Sequence, residues 1–130
     1  MIRALVAMLV AVGAAAAVAP ALRADAARGE RVFQRCYACH SLKPDEGKLP
    51  GPSLHGVMGR RAGTLKAFEF SPAMAAAGRG GLVWTRESLD RFLADPAAVV
   101  PETAMAMPPL RDPEQRQDVI DYIEQAGRAL

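Results

Sequence analysis

Cysteine and histidine each occur only twice in these 130 residues, tryptophan once, and all aromatics together make up 5%. Two cysteines cannot build the multi-bridge framework of a small secreted scaffold. Charge of one sign is also missing: 16 basic side chains face 14 acidic ones, so nothing suggests a nucleic-acid binder, which carries a basic excess on one face. No run alternates apolar and polar residues long enough to predict a strand. Lysine is rare as well, with Lys43, Lys48 and Lys66 against thirteen arginines.

What is abundant is concentrated at the start. Arg3 precedes an apolar run from Ala4 to Ala19, Pro20 breaks it, and small residues recur at A-x-A spacing, Ala19/Ala21 and Ala24/Ala26. This is the layout of a secretory signal peptide over residues 1–26, cleaved between 21 and 26. An uncleaved anchor is the competing reading, but the run is shorter than the roughly 20 residues a spanning helix needs. Removing residues 1–26 takes Arg3, Arg23 and Asp25 and leaves 14 basic and 13 acidic side chains on one small domain, 27–130.

Within that domain the pattern is helical with long loops. A first helix is predicted from 27 to about 40. Pro44, Gly47, Pro50, Gly51, Pro52, Gly56, Gly59 and Gly63 then exclude a regular element. "SPAMAAAG" reads as a short helix with Ser71 as N-cap, Pro72 in the first turn and Gly78 as stop. "TRESLDRFLADP" reads as another, capped by Thr85, ending before Pro96 and placing Leu89, Phe92 and Leu93 on one face. A loop is expected from Pro96 to Arg111. A last helix has Asp112 as N-cap, Pro113 at N1, Gln115 completing a D-x-x-Q box, and Val119, Ile120 and Ile123 as its buried stripe. So few apolar residues in the helices imply that something other than side chains fills the core.

The stretch "RCYACH" supplies the candidate. Cys36-Tyr37-Ala38-Cys39-His40 is C-x-x-C-H, the attachment signal for c-type haem. At the end of a helix, residues three and four apart share a side. The thiols of Cys36 and Cys39 can therefore add to the two vinyl groups of the porphyrin, and His40 can reach the iron. The other readings fare worse. A thioredoxin-like pair opens a helix after a strand, and no strand precedes Cys36. A zinc site needs further ligands, and only His55 remains. A disulfide between Cys36 and Cys39 would close a very small loop and stabilise little. For the second axial position the residues leave His55, Met58, Met74, Met105 and Met107 open.

"RCYACH", "LPGPSLHGVMGRRAG", "LVWTRESLDRFLADP", "VPETAMAMPPL" and "RQDVIDYI" follow in the order of the blocks of the small soluble class I cytochromes c, and the chain resembles their mitochondrial and photosynthetic-bacterial branch over nearly all of residues 29–125. The resemblance implies an all-α cytochrome c fold, short helices and long loops wrapped around one covalently bound haem c. The family's P-x-T-x-M pattern falls on Pro101, Thr103 and Met105, making Met105 the implied ligand. Met107 competes, because Met107-Pro108 matches the Met-Pro pair of many bacterial relatives. Relatives keep a histidine at His55 that does not bind iron. The resemblance further implies that the Pro52 carbonyl accepts from the His40 ring, that Arg60 and Trp84 lie near a propionate, and that Gly29 and Phe33 meet the last helix near Tyr122. The chain departs from the family in three places. Phe70 and Phe92 stand where tyrosines often hydrogen-bond around the haem, and Ala104 stands where a lysine often precedes the ligand methionine.

His–Met ligation favours ferrous iron and closes the coordination shell. The implied function is therefore a monomeric one-electron carrier of the periplasm, not an enzyme. It would serve a respiratory chain between redox proteins such as a quinol–cytochrome c oxidoreductase, an oxidase or a periplasmic dehydrogenase, with transient contact at the membrane surface. A haem enzyme or gas-binding sensor with a labile sixth position is the alternative.

Overall fold

The computed structural model describes residues 25–44, 46 and 48–128. Their helices are α1 (Ala26–Phe33), α2 (Pro72–Arg79), α3 (Arg86–Ala94), α4 (Pro96–Val99) and α5 (Pro113–Ala126). Among the described residues no strand forms, and the one extended pairing is an antiparallel bridge between Arg61 and Val83. Most of the segment expected to be removed, residues 1–24, lies outside the described residues.

Side-chain caps start each helix. The Ser71 hydroxyl accepts from the Met74 N–H at 3.2 Å, and Asp112 Oδ1 accepts from the Glu114 N–H at 2.9 Å. Thr85 and Ser88 bond each other's backbone N–H groups reciprocally. Each such cap contributes about 1 kcal/mol.

Three expectations are corrected. The first helix does not run to 40: it ends at Phe33, and the chain tightens into turns. Gly78 does not stop α2, which continues to Arg79 and is capped by Gly80. Gly78 is buried there because a Cβ would lie 1.8 Å from the Ala62 carbonyl oxygen. The loop after α3 opens with a further helical turn, α4. Asp95 ends α3 and caps α4 by accepting from the Ala98 N–H at 3.2 Å, with Pro96 at N1.

The framework is the crossing of α1 over α5. A Cβ on Gly29 would sit 1.9 Å from the Asp118 carbonyl oxygen and 2.8 Å from Tyr122 Cβ, so only glycine permits this approach. Phe33, fully buried, packs its ring 5.5 Å from that of Tyr122, on the same core as Val119, Ile120 and Ile123. Beside the crossing the Asp118 carboxylate is 3% exposed and well satisfied. It accepts from the Asp25 backbone N–H at 2.7 Å, from Arg28 Nε at 2.8 Å and from another Arg28 guanidinium N–H at 3.1 Å. The Arg28 hydrogen bond, helped by the Asp25 N–H, holds this carboxyl below the ordinary aspartate range although burial opposes it.

An unfolded aspartate titrates near pH 3.9. The stabilisation from Asp118 is thus present above roughly pH 4 and is lost as pH falls through the lower folded-state value. D118N is expected to lower Tm by about 5 °C or more at neutral pH, since it leaves the Asp25 N–H and Arg28 with a poorer acceptor. Thermal melts across pH should show the gap to the wild type narrowing in acid; a constant gap would contradict the assignment.

Candidate functional site

α1 delivers the cysteine pair. Past Phe33 the chain turns on itself: the Cys36 N–H donates to the Phe33 carbonyl at 2.7 Å, and the Cys36 carbonyl accepts from both Cys39 (3.0 Å) and His40 (2.9 Å). Cys36, Cys39 and His40 thereby lie on one tight coil. No disulfide joins Cys36 and Cys39; Cys36 is half-buried and Cys39 exposed.

His40 is clasped from the other side by Pro50-Gly51-Pro52. Its Nδ1 lies 2.7 Å from the Pro52 carbonyl oxygen. The Gly51 N–H donates to the Cys39 carbonyl at 2.8 Å, and a Cβ on Gly51 would come within 2.6 Å of His40 Cε1. The backbone therefore presses directly on the imidazole. Burial holds His40 below the ordinary histidine value, so the ring is neutral, with Nδ1–H donating to Pro52 and the Nε2 lone pair available.

Arg60 and Trp84 stand together behind this loop. The Trp84 backbone N–H donates to the Arg60 carbonyl at 2.9 Å. The half-buried Arg60 guanidinium donates to the carbonyls of Ser53 (2.8 Å) and His55 (3.1 Å) and so ties down the segment after Pro52. Trp84 is buried, with its ring 5.1 Å from that of Phe92. Its indole N–H makes no hydrogen bond among the described residues, yet is not sealed from solvent. His55 turns away, its Nδ1 lying 3.3 Å from the Leu42 carbonyl.

The candidate thioethers come from the loop after α4, whose Met105 and Met107 pack against the core. The Thr103 N–H donates to the Val100 carbonyl at 3.0 Å, closing a turn with Pro101 at its second position and Glu102 at its third. Glu102 has φ +62°, where glycine is usual and another residue carries about 1–2 kcal/mol of strain. Thr103 Oγ1 accepts from the Met105 N–H at 3.3 Å. Burial then alternates: Met105 and Met107 are half-buried against the core, while Ala104 and Ala106 are exposed. Both methionines lie on the core side, and packing does not choose between them. Met58 and Met74 join the same apolar rim.

This donor set fits an iron porphyrin. Two thiols lie on one turn, a neutral imidazole has its orienting hydrogen bond already made, and thioethers lie in an apolar rim with an uncommitted indole N–H. Sequence reasoning treats Gly51 only as a breaker, although the P-G-P run signals a rigid strap. It passes over Asp118, whose only signal is its place one turn before Tyr122.

A family model described as cytochrome c matches residues 26–127. Cytochrome c2 of Blastochloris viridis is 40% identical over 111 residues, spanning 85% of each chain. Cytochrome c2 of Afifella marina is 41% identical over 98 residues, 75% of this chain and 79% of that protein. The solved structure of cytochrome c2 from Rhodospirillum centenum superposes with a TM-score of 0.73 at 38% identity, covering 79% of this chain and 98% of that one. Helices without strands, a C-x-x-C-H turn and these matches agree: the chain belongs to the cytochrome c family, with the small all-α fold, one covalently attached haem c and the role of an electron carrier rather than an enzyme.

Proposed function

We propose that this cytochrome is a periplasmic one-electron carrier, with its haem attached through Cys36 and Cys39 and its iron held between His40 Nε2 and the Met105 sulfur. The observation that carries the reading is the His40–Pro52 contact, which commits Nδ1 and leaves Nε2 to coordinate; Met105 is taken over Met107 on the P-x-T-x-M pattern of the family. When bound, haem c supplies one metal centre that takes up and returns a single electron. Pro52 and Gly51 fix the imidazole in orientation and tautomer, and the hydrogen bond raises its basicity. Met58, Met74, Met107 and Leu82, partly buried against the core, would give the bound group an apolar surrounding. The family resemblance assigns Arg60 and Trp84 to a propionate: the Trp84 indole N–H would donate to it directly, while Arg60, which donates to the Ser53 and His55 carbonyls, would brace the segment beside it. A thioether from Met105 would favour the ferrous state and exclude small ligands.

The ligand is tested with two variants. M105A should abolish the methionine–iron charge-transfer band of the ferric protein, lower the potential and let carbon monoxide bind the reduced form. M107A should keep the band. The reverse pattern moves the ligand to Met107, and carbon monoxide binding by the native wild type would favour the gas-binding alternative.

Export and processing rest on the leader signals of residues 1–26. Asp25 caps α1 by accepting from the Ala27 (2.8 Å) and Arg28 (3.0 Å) N–H groups, and its own N–H reaches Asp118. Cleavage ahead of Asp25 keeps all of these bonds, whereas cleavage after Ala26 removes them. The intact mass of protein exported to a periplasm should place the N-terminus at Asp25 or up to three residues before it. A mature chain starting at Ala27 would refute this, and an uncleaved chain would restore the anchor.

Partners are redox proteins such as a quinol–cytochrome c oxidoreductase, an oxidase or a dehydrogenase, met briefly over a small contact. Between Pro96 and Leu110 the single charged residue is Glu102, and the exposed side chains include Ala97, Ala98, Ala104, Ala106 and Pro108. Lys43 is already paired with Glu46 at 3.7 Å. Steering needs a single-signed patch, and salt screens only what is there, over about 10 Å at 0.1 M. The second-order electron-transfer rate with an acidic partner is thus expected to fall less with ionic strength than that of a lysine-rich cytochrome. An equally steep fall would mean that Arg31 and Arg35 do the steering.

A further inference from the structure

The chain has two tyrosines, and they touch. Tyr37, between the two cysteines of the attachment turn, and Tyr122, on α5, are 85 positions apart, yet their phenol oxygens lie 2.8 Å from each other. The buried Phe33 ring holds both, edge-on to Tyr37 at 4.7 Å and tilted to Tyr122 at 5.5 Å. Neither backbone is free to drift. The Tyr37 N–H donates to the Phe33 carbonyl at 3.3 Å inside the turn, and Tyr122 packs at the crossing that Gly29 makes possible. The pair is also reachable: Tyr37 is 43% exposed, the one large hydrophobic side chain so exposed among the described residues.

Two phenols held oxygen to oxygen are set up for oxidative coupling. A phenoxyl radical carries much of its spin on the carbons ortho to oxygen, and a short oxygen–oxygen contact brings one ortho edge of each ring toward the other. We propose that Tyr37 and Tyr122 form an oxidative modification site, at which a peroxide-class oxidant produces an intramolecular dityrosine tying the haem-attachment turn to α5. Each phenol loses one electron and its O–H proton. The two radicals form one carbon–carbon bond between ortho carbons, and the two displaced ring hydrogens move to the phenol oxygens to restore aromaticity. The O–O bond of the oxidant breaks as it takes the two electrons, and the two protons leave to its fragments or to solvent. The protein ends two hydrogens lighter. The carbon–carbon bond, unlike a disulfide, is not reversed by thiols.

The site stands on the tyrosine geometry and not on the identity of the iron ligands, and its test uses an external oxidant for that reason. The native holoprotein is illuminated with ruthenium tris-bipyridine and persulfate, then analysed by dityrosine fluorescence, gel mobility and mass of the monomer and of its peptides. Tethered groups experience effective concentrations of millimolar or more, so at ~10 μM protein the intramolecular product should exceed cross-linked dimer by on the order of a hundredfold. It should appear as a monomer two hydrogens lighter with the Tyr37 and Tyr122 peptides joined. The same treatment in denaturant should lose most of that preference, because the contact is native. Y122F should convert the reaction to slow dimer formation through Tyr37. Dimer as the main product of the native wild type, or no dityrosine at all, would overturn the proposal, as would an equal intramolecular yield in denaturant.

Discussion

The close approach of α1 and α5 at Gly29 is the constraint on which everything else is hung. A single Cβ there would overlap the Asp118 carbonyl, so the two helices cross at backbone contact. That crossing places Phe33 on the α5 stripe, and Phe33 is the last residue of α1. The attachment turn begins three residues later, anchored to the Phe33 carbonyl. The positions of Cys36, Cys39 and His40 relative to the body of the protein are thus inherited from a missing methyl group. The buried Asp118 carboxylate fixes the same crossing by joining the start of α1 to the middle of α5, and it does so with an arginine and a backbone amide in place of apolar area.

The two walls of the site are built differently. On the histidine side every position is over-determined: Nδ1 is bonded to Pro52, Gly51 presses on the ring, and Arg60 pins the carbonyls that follow. On the methionine side the chain is extended and has little to hold it beyond the Thr103–Met105 contact and packing, and it starts from a turn with Glu102 in a strained conformation. Rigidity on one wall and compliance on the other suits a carrier. The imidazole is fixed, whereas a methionine side chain in the extended loop is soft and adaptable.

Much of this architecture is legible in the residues alone. The C-x-x-C-H motif, the caps at Ser71, Thr85 and Asp112, and the stripes on α3 and α5 depend on local chemistry, and local chemistry is what a sequence displays. The failures share the opposite cause. Gly78 looks like a helix stop but is a contact with Ala62, 16 positions away. Whether α1 stops at Phe33 is decided by the turn that the cysteines and His40 share with Gly51, not by propensity. Asp95 serves two helices at once, which hides α4 behind Pro96. The choice between Met105 and Met107 stays open for a further reason: in an extended segment residues two apart face the same way, so both meet the same criterion of burial.

The excess of arginine over lysine also finds its explanation inside the fold. Arg28 holds Asp118, Arg60 holds Ser53 and His55, and Arg61 reaches the Gly78 carbonyl at 3.0 Å. Arg86 pairs with Glu124, and Arg116 links Asp90 at 2.8 Å to the carbonyls of Leu110 and Arg111. Each joins segments that no regular structure joins, and several do so with two or more donors of one planar fork. Lysine, a point charge on a flexible stem, could not hold that geometry. Where a loop-rich chain must be braced around a flat ligand, the forked cation substitutes for the missing sheet. The donors of these five arginines are thus committed to acceptors within the fold.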